Sequence, residues 1–220
     1  MLYTIGHSTH PFPHLAQLLK MNGITAIADV RSAPYSRYNP QYNREALKAA
    51  LEAVGIAYSH LGPELGAHRE EPECYAPSGR VDFSRTAKTA AFREGIQRIK
   101  TGLHKYSIAM MCAERDPLTC HRNLLISRFV REELGGIVHV RADGSLEAHE
   151  QLESRLLAEC KLPERDLFRS REELVLLAYE KLARENASVR GEEPEPPTDG
   201  CDSIRVDSEC TGRGLNRVSP

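Results

Sequence analysis

The chain has 220 residues, 40% of them hydrophobic, which suffices for one substantial core, and its 29 basic and 31 acidic side chains leave a formal net charge of -2. Charge so mixed gives no long-range attraction to a polyanion or an anionic membrane, so any contact with nucleic acid must rest on a local patch. The opening MLYTIGHSTH lacks the basic and apolar regions of a signal peptide, and no run approaches the roughly 18 apolar residues of a membrane span; the expectation is a cytoplasmic protein without membrane contact.

LYTI (2–5) is a short apolar run ending in the turn-like GHS, and the following PFPHLAQLLKMNG places Phe12, Leu15, Leu18 and Leu19 on one helical face before Gly23. ITAIADV (24–30) is apolar almost throughout, as a parallel strand covered on both faces must be. Asn43 is placed to cap a helix carrying Leu47, Ala50, Leu51 and Val54, and IAYSHL (56–61) reads as the next strand. Residues 63–83 mix proline, glycine and charge without a period, which suggests an insertion or lid near a site. From Ser84 to Tyr106 the spacing of Phe92, Ile96, Ile99 and Leu103 predicts one long amphipathic helix, followed by the doubly buried strand SIAMM (107–111). A helix over 121–134, a strand at 136–141, a turn at Asp143-Gly144 and helical segments near 145–158 and 170–186 complete the pattern.

Strands alternating with helices at this spacing imply βαβ units. The fold expected is therefore three-layer α/β, a mostly parallel sheet of about five strands with helices on both faces. The domain should span 1–186. Residues 187–220 are poor in large apolar side chains and are expected to form a disordered C-terminal tail.

Ligands of open α/β sheets bind at the carboxyl ends of the strands. His7 and Ser8 follow the first strand; Asp29, Arg31, Ser36 and Arg37 follow the second; His60 lies near the end of the third; Cys112, Glu114, Cys120, His121 and Arg122 follow the fourth. The opposite edge carries mainly Gly23, Gly55 and Gly135. A polar site at one edge is the reading, against the plain alternative that strand ends are surface. Singly, His7 could bond its own backbone, Asp29 and Arg31 could be a structural ion pair, and Cys112 could be inert core.

Four chemistries fit these groups. In the first, Arg31, Arg122 and Arg37 hold an anion while Asp29 or Glu114 acts as acid or base, although no P-loop or GxGxxG is present and Leu118 stands where a cysteine-phosphatase loop needs arginine. In the second, Cys112 or Cys120 is a thiol activated by a helix N-terminus and His121. The third is a metal centre at Cys112, Cys120 and His121, with His7 or Glu114 added, although a spacing of eight between the cysteines is not the usual CxxC pairing. The fourth is a binding module in which Arg31, Arg37, Arg44, Tyr35, Tyr38 and Tyr42 form a basic and aromatic face for nucleic acid or protein.

TIGHS at 4–8, DVRSAPYSRYNPQYN at 29–43, GIAYSHLGPELGAHR at 55–69 and MCAERDPLTCHR at 111–122 together resemble the DUF488 family of uncharacterised proteins, over about residues 1–185. Ala67 stands where the family pattern often has a second glycine. The residues matching the family motifs coincide with the strand-end set above. The resemblance supports the fold boundary and the site positions; it carries over no reaction and no cofactor. The reading adopted from the sequence is an enzyme, a hydrolase or transferase, acting on a phosphate-bearing or nucleic-acid-related substrate. Arg31 and Arg122 hold the anion with Ser8, Ser36, Arg37, His60 and His121 around it, and Asp29, Glu114, His7 and Cys112 supply the chemistry.

Overall fold

Two apolar runs that need cover on both faces, around Ile27 and Met110, become inner strands of one sheet. The computed structural model describes residues 1–189. In chain order these form β1 (Leu2–Gly6), α1 (Phe12–Met21), β2 (Ala26–Asp29), α2 (Arg44–Ala53), β3 (Ala57–His60), α3 (Gly62–Leu65), α4 (Phe83–Thr86) and α5 (Ala90–Leu103). They continue with β4 (Ile108–Cys112), a π-helical turn (Arg122–Ser127), α6 (Arg128–Leu134), β5 (Ile137–Val140), β6 (Leu146–Ala148), α7 (His149–Glu159) and α8 (Arg171–Asn186). The sheet runs in the order β3-β2-β4-β1-β5-β6. The first five strands are parallel, and β6 pairs with β5 antiparallel.

Alternation along β4 assigns the two faces. Met110 and Cys112 pack with Phe92, Ile96 and Ile99 of α5 and with Leu174 and Tyr179 of α8, whereas Ala109 and Met111 pack with Leu15 and Leu19 of α1 and Leu47 and Leu51 of α2. Helices therefore cover both faces, as the sequence pattern implies. Each fully buried leucine or isoleucine contributes about 1.5–3 kcal/mol. This core fixes the strand ends, and through them the groups that follow each strand.

Several elements differ from expectation. There are six strands rather than about five, because residues 146–148, expected to be helical, are held as a strand by pairing of Val138 with Ala148 and Val140 with Leu146. The single helix expected from Ser84 to Tyr106 is two, broken after Thr86, with the Thr89 hydroxyl accepting the Phe92 N–H to start the second. Asn43 precedes α2, but its side-chain oxygen accepts from the Ser36 N–H rather than capping that helix. The segment 121–134 opens as a π-turn before becoming α-helical.

Residues 63–83 are built into the core rather than left as a free loop, since Leu65, Cys74, Val81 and Phe83 are buried. Three residues beyond the expected boundary at Asn186 are also tied down: Val81 N–H donates to Ser188 O, and Arg80 pairs with Val189 in an isolated bridge. The expected disorder of the remaining tail, 190–220, lies outside the described residues. Among the described residues no helix is long and apolar enough to cross a membrane.

Candidate functional site

At the ends of β1, β2 and β4 the backbone itself brings the polar residues together. His7 N–H donates to Cys112 O, Ser8 N–H to Ala113 O, and Val30 N–H to Met111 O. Close approach here requires Gly6, because a Cβ at that position would lie 1.9 Å from Glu114 O. Ser8 turns the chain with φ 47°, in the left-handed region that a non-glycine residue seldom occupies.

Two clusters result. In the first, Arg31 grips Asp29 bidentately, Nε to Oδ1 at 2.9 Å and Nη2 to Oδ2 at 2.6 Å, and Nη2 also donates to Tyr42 O at 2.9 Å. Its Nη1 donates to His7 Nε2 at 3.1 Å. Because His7 Nδ1 faces Ser8 O at 2.7 Å, and a carbonyl can only accept, the ring carries its proton on Nδ1 and offers the Nε2 lone pair to Arg31. Burial and the Arg31 charge hold His7 down at about 4, so the imidazole is neutral. Tyr42 stacks on His7 with ring centroids 4.0 Å apart, and Tyr58 donates its hydroxyl to Asp29 Oδ2 at 2.7 Å. His60 Nε2 donates to Arg31 O.

The second cluster lies on the loop after β4. Cys112 Sγ donates to Glu114 Oε2 at 2.6 Å and Cys120 Sγ to the same oxygen at 3.0 Å; His121 Nδ1 lies 3.4 Å from Cys112 Sγ and 3.9 Å from Cys120 Sγ. All four side chains offer a ligand atom within 4.8 Å of the others. His121 Nε2 donates to Val30 O at 3.0 Å, which orients the ring and turns Nδ1 toward the sulfurs.

Burial pushes both thiols up, Cys120 well above its ordinary value, which is the reverse of the activation expected from a helix N-terminus. Burial also works against a charge on Glu114, but His121 and the thiol donors outweigh it and hold the carboxyl down to about 2. His121 is raised, since contacts with Cys120 and Glu114 outweigh its burial. Glu114 nevertheless exposes much of its residue surface, while Cys112, Cys120 and His121 are buried.

The spacing of eight between the cysteines is closed by the loop's own bonds. Arg122, with no exposed surface, donates from Nη1 to Glu114 O and from Nη2 to Arg115 O. Asp116 accepts from Leu118 N–H and pairs with Arg155 of α7 at 2.8 Å and Arg141 at 3.3 Å. The π-turn then widens the helix start, with Ser127 Oγ donating to Arg122 O.

Of the residues expected at the site, His7, Asp29 and Arg31 meet in one cluster and Cys112, Glu114, Cys120 and His121 in the other, with Ser8 and His60 beside the first. Ser36 and Arg37 stand apart. The Ser36 hydroxyl accepts from Tyr38 and Asn39 N–H within its own loop, and Arg37 is exposed with its guanidinium 5.3 Å from the Tyr38 ring centroid. The basic and aromatic face is divided, because Arg31 and Tyr42 are buried while Tyr35, Arg37 and Tyr38 are exposed. Tyr58 was not foreseen; it sits one residue into β3, and only the β2–β3 pairing turns it toward Asp29.

No curated protein and no solved structure matches the chain. The family model described as "Domain of unknown function DUF488" matches residues 13–129, just over half of the chain and spanning both clusters apart from His7 and Ser8. The chain therefore belongs to the DUF488 family.

Proposed function

We propose that this protein is a metal-centred enzyme. In this reading Cys112, Cys120, His121 and Glu114 hold a borderline-soft divalent cation, with zinc the best match to two sulfurs, a nitrogen and an oxygen. The observation that carries the proposal is the convergence of four donor atoms within 4.8 Å of one another. Tetrahedral zinc places sulfur and nitrogen ligands about 3.5 Å apart. The sulfur–Nδ1 spans of 3.4 and 3.9 Å fit that value, while the carboxylate oxygen, now 2.6 and 3.0 Å from the sulfurs, must withdraw by about 1 Å.

Placement favours catalysis over a purely structural ion. The cluster lies at the carboxyl ends of parallel strands, where such sheets bind ligands. Its fourth donor, Glu114, belongs to the one exposed residue of the four, so the site lies next to surface although the carboxyl group itself is turned inward. A cation there would supply Lewis acidity toward a polarisable carbonyl or phosphoryl oxygen, the chemistry of a hydrolase or transferase. An anionic or phosphate-bearing substrate would then be met by the metal's charge. Arg31 and Arg122, expected to hold the anion directly, would act as supports, since their guanidinium groups already serve Asp29 and the loop carbonyls.

Thiol catalysis without metal is the second reading. Its weakness is that both thiols are held protonated. The test is metal analysis by mass spectrometry of reduced, full-length protein prepared without affinity metal and then offered zinc. One equivalent of tightly held zinc is expected, lost in Cys120→Ala. A reduced, folded protein that takes up no zinc, or a Cys120→Ala variant that keeps it, refutes the proposal.

A further inference from the structure

On the face of the sheet away from α1, the segment 76–84, α6 and α8 enclose a cavity of about 390 Å³, clear of the metal-site residues. Its lining includes the cations Arg80, Arg128 and Arg184 and the hydroxyls of Ser78 and Ser84. The two acids of the lining are already engaged: Asp82 pairs with Arg85 at 3.4 Å and Glu180 with Arg184 at 3.9 Å. Arg80 Nη1 donates only to a backbone carbonyl, that of Ala187. Arg128 is half-buried and forms no hydrogen bond or ion pair with any described residue; its guanidinium lies 4.9 Å from the Phe129 ring centroid and 5.3 Å from that of Tyr179.

A cation partly withdrawn from water without an acceptor costs free energy that evolution ordinarily removes by pairing or substitution. Stacking on aromatic faces leaves the in-plane N–H edge of a guanidinium open, which is the edge that grips a carboxylate or phosphate bidentately. We propose that this cavity is an anion site, with Arg128 as the bidentate anchor and Arg80 as the second cation, for a carboxylate or phosphate group. Desolvation of Arg128 lowers its affinity for its proton despite the more distant charges of Glu180 and Asp82, and a bound anion in direct contact would offset that cost.

The anion has two possible sources. One is a free phosphate or carboxylate metabolite. The other is the chain itself: Val189 bridges to Arg80 at the rim, and the sequence beyond it carries Glu192, Glu193, Glu195, Asp199 and Asp202 with no basic residue between Gly191 and Asp202. Tethering so close gives a high effective concentration, so weak contacts would suffice.

The experiment follows the Arg128 Nε–H signal by nuclear magnetic resonance in full-length protein titrated with inorganic phosphate. The variants are Arg128→Gln, Arg80→Gln and the full-length triple substitution E192Q/E193Q/E195Q. A free-anion site gives a saturating shift in the unsubstituted protein, weakened about tenfold or more by Arg80→Gln, and phosphate binding read by calorimetry is abolished in Arg128→Gln, which lacks the reporting N–H. A site filled by the chain gives little response to phosphate until the triple substitution both moves the Arg128 signal and restores phosphate binding. An Arg128 signal unmoved by phosphate and by the triple substitution overturns the proposal, as does phosphate binding that survives in Arg80→Gln with unchanged affinity. Neither outcome depends on zinc.

Discussion

The two clusters at the strand ends each join a carboxylate to a histidine and are linked through the Val30 carbonyl that His121 grips, yet they are balanced differently. Around Arg31 every charge is matched: Asp29 receives the Nε–Nη2 edge of the guanidinium, His7 and Tyr42 take further donors, and Tyr58 closes the remaining lone pair of Asp29. Around Cys112 and Cys120, two thiols share a single carboxylate oxygen while a histidine lone pair or proton faces both sulfurs. A saturated cluster has nothing left to offer a ligand and serves as scaffold. A cluster of convergent donors gains most from a cation at its centre.

The largest effect that separates them is on stability without metal. Asp29→Ala leaves the Arg31 guanidinium buried and unpaired and should cost about 3–5 kcal/mol in urea unfolding. Cys120→Ala in metal-free protein should cost about 1 kcal/mol, the loss of one small buried group. If the order were reversed, the assignment of scaffold and ligand site would be inverted.

Acid should attack the scaffold next. His7 and His149 are held at about 4 by burial, with Arg31 and Arg131 respectively adding to the effect, whereas in the unfolded chain both titrate near 6.5. Between these values the unfolded chain binds more protons, so stability is whole above about 6.5 and declines as pH falls toward 4. The loss reaches about 3 kcal/mol for each ring. Urea midpoints across this window, compared with those of His7→Asn, measure the contribution of His7; an identical slope in the variant would remove it from the account.

A smaller effect should appear at the point where the clusters touch. Gly6→Ala forces a methyl against Glu114 O, and should cost about 1–3 kcal/mol and weaken zinc binding about tenfold, read by competition with a chromogenic chelator. Smallest of all, Tyr58→Phe removes one hydrogen bond to Asp29, costs about 1 kcal/mol, and should leave zinc uptake unchanged.

The periodicity of apolar residues was sufficient to read the layers, because β2 and β4 are buried on both faces and the runs ITAIADV and SIAMM have no other economical place. The edge of the sheet at which the two polar clusters gather was legible for a related reason: chemistry-bearing residues follow strands rather than precede them. What sequence could not reveal was long-range closure. Arg122 reads as an anion fork until the loop folds back and its own carbonyls occupy that fork. A spacing of eight from Cys112 to Cys120 looks wrong for a metal until the same closure brings the sulfurs onto one carboxylate oxygen. Likewise, Leu146–Ala148 has no strand pattern of its own and is extended only because β5 offers a free edge.

The position of β1 sets a schedule for biosynthesis. It is made before the other strands of the sheet, but its two neighbours are β4 and β5, completed only at residues 112 and 140. Until then the β2–β3 pair can assemble on its own, while the N-terminal strand waits for partners more than a hundred residues downstream. Cys112 and the Gly6 turn therefore meet only once β4 has been made, and His121 follows nine residues later. The four donors of residues 112–121 would thus be made as a set while β5 and β6 are still to come, so that on the metal reading capture could precede the completed sheet.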